Sequence, residues 1–209
     1  MAGAASPGRD EGPLAPLPLD DAENNDVFAA NSMSKNILIV SATPRKNGNS
    51  DLLCNEFMRG AEESGHHVEK IRLSEKNINY CTGCCTCVSK QGACVQQDDM
   101  NGIFAMILKA DVMVLATPVY FHAMNGQMKT FIDRVCPIYT MVRAKEMYYI
   151  LSAAGGKMPV DKAVQSLRLF TECFSGIKEK ETIAVTGVWD AGEVNKRALA
   201  QAYAAGKNV

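Results

Sequence analysis

From residue 35 onward the apolar and polar positions fall into blocks that switch between a strand period and a helix period. Ile37-Leu38-Ile39-Val40 is a pure apolar run and predicts a strand over 37–41. Over 50–64 the period changes: Leu53, Phe57 and Ala61 recur four residues apart, one stripe of a helix that Gly65 ends. Residues 67–73 read as a second short strand. Asp98-Asp99 opens a helix with Met100, Ile103, Phe104, Ile107 and Leu108 on one face, the acidic pair suiting its positive end. Residues 112–116 are apolar throughout, as expected of a strand covered on both faces. A helix over 124–136 turns Met128, Phe131, Ile132 and Val135 inward. A strand over 146–153, a helix over 161–175 (Ala163, Leu167, Phe170, Phe174), a strand over 182–188 and a helix over 193–206 complete the series. Five strands alternating with helices predict an α/β fold, a parallel sheet with right-handed crossovers. Such sheets bind ligands at the carboxyl ends of strands where the winding reverses. The loops after Ser41, Ala116 and Ser152 would share that crevice.

Composition narrows the class. With 209 residues, 47% hydrophobic and 22% charged, the chain is long enough for one domain with a sizeable core. A net charge of −1 argues against nucleic acid or a membrane surface as partner through a basic field. No apolar run approaches the roughly 20 residues that span a bilayer. Residues 1–34 carry Pro7, Pro13, Pro16, Pro18 and the acidic Asp20-Asp21-Ala22-Glu23 with no structural period. They are expected to be a disordered N-terminal tail or an expression leader, with the folded domain over 35–209. Five of the eight cysteines crowd into 81–94, a local site and not a disulfide framework. With no apolar signal segment near the start, a reducing, cytoplasmic setting is expected.

Two loops carry the candidate chemistry. Residues 41–51, Ser-Ala-Thr-Pro-Arg-Lys-Asn-Gly-Asn-Ser-Asp, join the first strand to the first helix, and a polar loop at a helix N-terminus is an anion site. It offers hydroxyls at Ser41, Thr43 and Ser50, amides at Asn47 and Asn49, and the guanidinium of Arg45, while Gly48 permits a positive φ. It matches neither the triphosphate nor the pyrophosphate fingerprint, and mostly neutral donors with one cation suit a phosphate monoester. The plainer alternative is a βα turn capped by Asn49 or Ser50. After the third strand, residues 117–129 are long and aromatic for a βα connection. Tyr120 and Phe121 would stand at the mouth of the crevice, where a flat ring can stack. A flat ring beside one phosphate describes flavin mononucleotide (FMN).

Ser41-x-Thr43-Pro44-Arg45-x-x-Gly48-Asn49-Ser50, the run from Ala116 to Phe121 followed by Met124, Gln127, Lys129 and Phe131-Ile132-Asp133-Arg134, and Cys94-Val95-x-x-Asp98-Asp99-Met100 resemble the NAD(P)H-dependent FMN reductase branch of the flavodoxin-like superfamily. The resemblance covers about 35–209. It implies a flavodoxin-like three-layer fold, a five-stranded sheet in order 2-1-3-4-5, noncovalent FMN and a homodimer or homotetramer. By position, Ser41, Arg45, Asn49 and Ser50, with Thr43 beside them, would meet the phosphate. Pro118, Val119, Tyr120 and Phe121 would meet the ring, and residues 152–156, with Ser152, Gly155 and Gly156, would complete the pocket. NAD(P)H would be the co-substrate, and a quinone, free flavin, other small molecule or protein the electron acceptor.

Cys81-x2-Cys84-x2-Cys87-x6-Cys94 can place four thiolates around a [4Fe-4S] cluster, with Cys85 extra. The spacing resembles that of iron–sulfur flavoproteins, electron carriers of the same superfamily. The same residues can instead hold zinc or stand as thiols lining a loop. Cys54, Cys136 and Cys173 are expected in the core, His66-His67 in a solvated turn, and His122 in the aromatic loop.

Overall fold

The structure, a computed structural model, describes residues 34–90 and 92–209, so the expectation for the N-terminal tail lies outside the described residues. Five strands make the parallel sheet: β1 (Asn36–Ser41), β2 (His67–Arg72), β3 (Val112–Tyr120), β5 (Glu146–Ala153) and β6 (Lys178–Thr186), in the order β2-β1-β3-β5-β6. A two-residue strand, β4 (Ala123–Met124), folds back antiparallel on the end of β3. The helices are α1 (Asn49–Glu63), the four-residue α2 (Thr86–Ser89), α3 (Met100–Lys109), α4 (Gly126–Arg134), α5 (Lys157–Thr171) and α6 (Lys196–Lys207).

Period-2 alternation within the buried strands divides the core. Met113 and Leu115 of β3 face one cluster, built with α3, α4 and α5, while Val112, Val114 and Ala116 face the other, built with α1 and α6. The second layer is closed by glycines. A Cβ on Gly60 of α1 would run into the Tyr203 carbonyl of α6, and one on Gly206 would run into the Phe57 carbonyl. The two backbones therefore touch with no side chain between them. Gly206→Ala is expected to force these helices apart and destabilise the domain by about 1–3 kcal/mol, read from the shift in urea midpoint. An unchanged midpoint would mean that the helices separate freely.

Several expectations need correction. The left-handed residue of the 41–51 loop is Asn47 (φ 58), a residue whose short amide tolerates that region. Gly48 is extended and is needed for space instead, since a Cβ there would sit 3.1 Å from both Arg45 Cβ and Thr43 Oγ1. Neither Asn49 nor Ser50 caps α1: its N-cap is Gly48, with no side-chain cap. His66 is buried, its Nδ1 accepting from the Lys35 N–H, and His67 opens β2. Cys54 is buried as expected, but Cys136 and Cys173 are exposed. Residues 117–120, expected in a loop, extend β3. The β1 pairing ends opposite Ala116, so position 118 has no partner on β1 and a proline is tolerated there.

Candidate functional site

The carboxyl ends of β1, β3, β5 and β6 surround a cavity of about 490 Å³, within the range of small-ligand and cofactor sites. Its polar end is the β1–α1 loop. Thr43, Arg45, Gly48 and Asn49 line it there. The first N–H groups of α1 have no intrahelical acceptor, and no side chain caps them. Ser41 is fully buried beneath, its hydroxyl without a hydrogen-bond partner among the described residues. Ser50 is buried too, its hydroxyl 2.8 Å from that of Ser152, which ties α1 to the end of β5.

The loop is braced from outside the cavity. Asp51, in the first turn of α1, receives Lys70 Nζ at 2.7 Å, Arg72 Nη1 at 2.6 Å and the Asn47 N–H at 3.0 Å. Burial pushes the Asp51 carboxyl up, but the Lys70 and Asn47 hydrogen bonds and the two cations outweigh it and hold the group below its ordinary value. The β1 and β3 ends are also clamped to each other. Asn125, the N-cap of α4, donates from Nδ2 to the Ala42 carbonyl at 2.6 Å and accepts from the Met128 N–H at 3.1 Å. The Thr117 hydroxyl accepts the Asn125 N–H at 3.1 Å.

The apolar end comes from the β3–β4 hairpin. Pro118, Val119, Tyr120 and Phe121 line the cavity, with Phe121 fully exposed at the tip. Phe121 and His122 hold φ values of 48 and 63, a left-handed pair that costs L-residues energy and concentrates at binding sites. Ser152 and Gly155 line the opposite side, whereas Gly156 lies outside, as the N-cap of α5. Of the expected site residues, the cavity thus gathers Thr43, Arg45, Asn49, Pro118, Val119, Tyr120, Phe121, Ser152 and Gly155. Ser41, Ser50 and Gly156 sit behind its wall.

One wall had no forerunner in the sequence reading. Val188 and Trp189, after β6, close the cavity, and Trp189 is 75% exposed. The Trp189 carbonyl accepts from Arg45 Nη1 at 2.8 Å. Asn49 bridges the same loop, donating to the Asp190 carbonyl at 2.8 Å and accepting the Val194 N–H at 3.1 Å. Glu193 Oε2 accepts the Trp189 and Asp190 N–H groups. The signal available in sequence was the single tryptophan in a glycine-containing polar loop after a strand.

The cysteines form a separate cluster. Cys81, Cys84, Cys85, Cys87, Cys94 and Cys136 line a cavity of about 30 Å³. Hydrogen bonds from the Thr86 hydroxyl and N–H and from Thr82 bring the exposed Cys84 thiol down to about 7. Beneath lies Arg134, which pairs in bidentate fashion with Asp98 at 2.6 and 2.9 Å, donates to the Asn79 carbonyl at 2.7 Å and reaches Cys94 Sγ at 3.7 Å. Among the described residues, no three of His, Cys, Asp or Glu are grouped so as to hold a metal ion.

A parallel sheet in this order, with its crevice beside the β1/β3 reversal, is the flavodoxin-like arrangement. Residues 35–189 match the model of the NADPH-dependent FMN reductase family, and the chain belongs to that family. It is 46% identical over 98 residues to an iron–sulfur flavoprotein of Archaeoglobus fulgidus, covering 47% of this chain and 44% of that one. It is 35% identical over 102 residues to an iron–sulfur flavoprotein of Methanocaldococcus jannaschii, covering 49% and 52%. The matched stretch thus spans about half the length of these relatives. In structure it resembles the NAD(P)H:quinone oxidoreductase of Methanothermobacter marburgensis, with a TM-score of 0.69 at 17% identity over 84% of this chain and 96% of that one.

Proposed function

We propose that residues 35–209 are an FMN-binding domain that takes hydride from NADH or NADPH and passes electrons to a quinone, free flavin or other small acceptor. The observation that carries this is the cavity's polarity. One end has an uncapped helix N-terminus with Thr43 and Arg45, and the other has Pro118, Val119, Tyr120 and Phe121. The residues fit the cofactor, since Thr43, Arg45 and the uncapped N-terminus of α1 offer donors to an anion at one end and Gly48 leaves a cradle that a Cβ would crowd. In this reading Thr43, Arg45 and the α1 N–H groups hold the phosphate, with Ser41, Asn49 and Ser50 shaping the loop. The hairpin supports the ring, and Ser152 and Gly155, with Gly156 behind them, close the far side. When bound, FMN supplies the hydride-accepting ring; the chain binds it, orients it and screens it from water. We place the protein in the cytoplasm as a homodimer or homotetramer, the setting that the sequence reading expects and the assembly that the resemblance implies. Among the described residues no helix is long and apolar enough to cross a membrane.

A second reading, an electron carrier with FMN and a [4Fe-4S] cluster, is favoured by the thiols lining one cavity and by the names of the relatives above. Cys81, Cys84, Cys87 and Cys94 would hold it. Their chemistry suits iron, but their sulfurs are not drawn to one centre. Reconstituting anaerobically purified protein with FMN, iron and sulfide separates the readings. The first expects stoichiometric FMN, bleaching by NADPH and no retained iron; retained iron and acid-labile sulfide support the second. A chain that takes up no FMN defeats both.

A further inference from the structure

Six cysteines line the thiol cavity, whereas a cluster uses four. Cys136 lies outside the 81–94 spacing, on the turn after α4, and neither reading of the function employs it. Its Sγ is 3.7 Å from that of Cys87. We propose that Cys87 and Cys136 are a dithiol–disulfide pair that a low-molecular-weight disulfide oxidises, a site that needs neither flavin nor iron.

The geometry supports this in three ways. A disulfide requires the sulfurs to close to about 2.05 Å, a small approach for two side chains whose χ1 angles can turn between staggered wells. The two elements are already joined, because the Gly92 N–H donates to the Pro137 carbonyl at 3.1 Å. Val135, Pro137 and Ile138 are buried around Cys136, whereas residues 81–85 and 88–90 on the Cys87 side are exposed. Little packing therefore opposes an approach of Cys87 to Cys136, and both thiols reach solvent.

The chemistry balances without a metal. The Cys87 thiol loses a proton and attacks one sulfur of the small disulfide RSSR, forming Cys87–S–S–R and releasing one RSH. The Cys136 thiol then loses its proton and attacks the Cys87 sulfur, forming Cys87–S–S–Cys136 and releasing the second RSH. Two electrons and two protons pass from the protein to RSSR. The closed bond ties α2 to the end of α4 across 49 residues and withdraws Cys87 from its neighbours.

Chelator-treated, full-length protein incubated with oxidised glutathione, then alkylated and digested with trypsin, gives the test. Residues 77–90 and 135–143 fall on separate peptides. A 77–90/135–143 cross-link through Cys87 is expected as the dominant disulfide, with an intact-mass loss of two hydrogen atoms. Cys136→Ser should abolish it and leave glutathione on Cys87, and Cys85→Ser should leave it intact. A bond from Cys87 to Cys84 or Cys85, an alkylated Cys136 after excess oxidant, or no disulfide at all would overturn the proposal.

Discussion

Replacing Asp98 with asparagine should remove about 3–5 kcal/mol of stability at neutral pH, because it leaves the Arg134 guanidinium buried without its counter-ion. The side chains of Arg134 and Asp98 are 1% and 0% exposed, and the pair joins the start of α3 to the end of α4. Asp98 also accepts the Asn79 and Met100 N–H groups and the Asn79 side-chain amide, so five hydrogen bonds converge on one carboxylate. Arg134 first, then these N–H groups, hold the carboxyl down at about 2 against the upward push of burial. The folded value is depressed, so the contribution is fully present above about pH 4 and is lost as pH falls towards 2. Urea unfolding at pH 7 and thermal unfolding across the acid range should both register the change, and the acid dependence should flatten in Asp98→Asn. Replacing Asp98 and Arg134 together by leucine and methionine should recover much of the loss, since no buried charge then remains. A single-variant loss below about 1 kcal/mol would place the pair in contact with water.

The second large effect is on cofactor choice. Thr43→Ala combined with Arg45→Ala should weaken FMN by roughly 10²- to 10³-fold while changing riboflavin binding little. Contacts to a charged group contribute about 1.5–3 kcal/mol each, and the lower end suits an exposed arginine. Arg45 also holds the Trp189 carbonyl, so its loss loosens the β6 wall for either flavin. Comparing FMN with riboflavin removes that shared contribution. Equal weakening of the two would move the phosphate away from the β1–α1 loop.

Legibility differed along the chain for physical reasons. The buried strands were plain because parallel strands covered on both faces carry unbroken apolar runs, as in Ile37–Val40 and Val112–Ala116. The β1–α1 and β3 loops could be paired because sheet winding brings successive strand ends together. What escaped was set by contacts distant in sequence. Asn49 looked like a phosphate donor or a cap, yet its amide spans to Asp190 and Val194, more than 140 residues away. Trp189 entered the cavity wall because β6 pairs with β5 and its following loop turns back over α1. Cys136 had helical spacing, but α4 ends at Arg134 and the turn carries the thiol outward. His66 gave no periodic cue, and the Lys35 N–H that its buried ring accepts lies 31 residues away in sequence.

The bridging of residues 41–51 by residues 152, 189–190 and 194 also sets an order of events during synthesis. The β1–α1 loop leaves the ribosome early, but Ser50 waits for Ser152, Asn49 for Asp190 and Val194, and Gly60 for the backbone of α6. Chains shorter than about 195 residues lack the full brace, whatever the state of their early strands. A nascent chain should therefore capture flavin only after nearly all of the domain has emerged, and ribosome-bound intermediates stalled earlier should remain colourless.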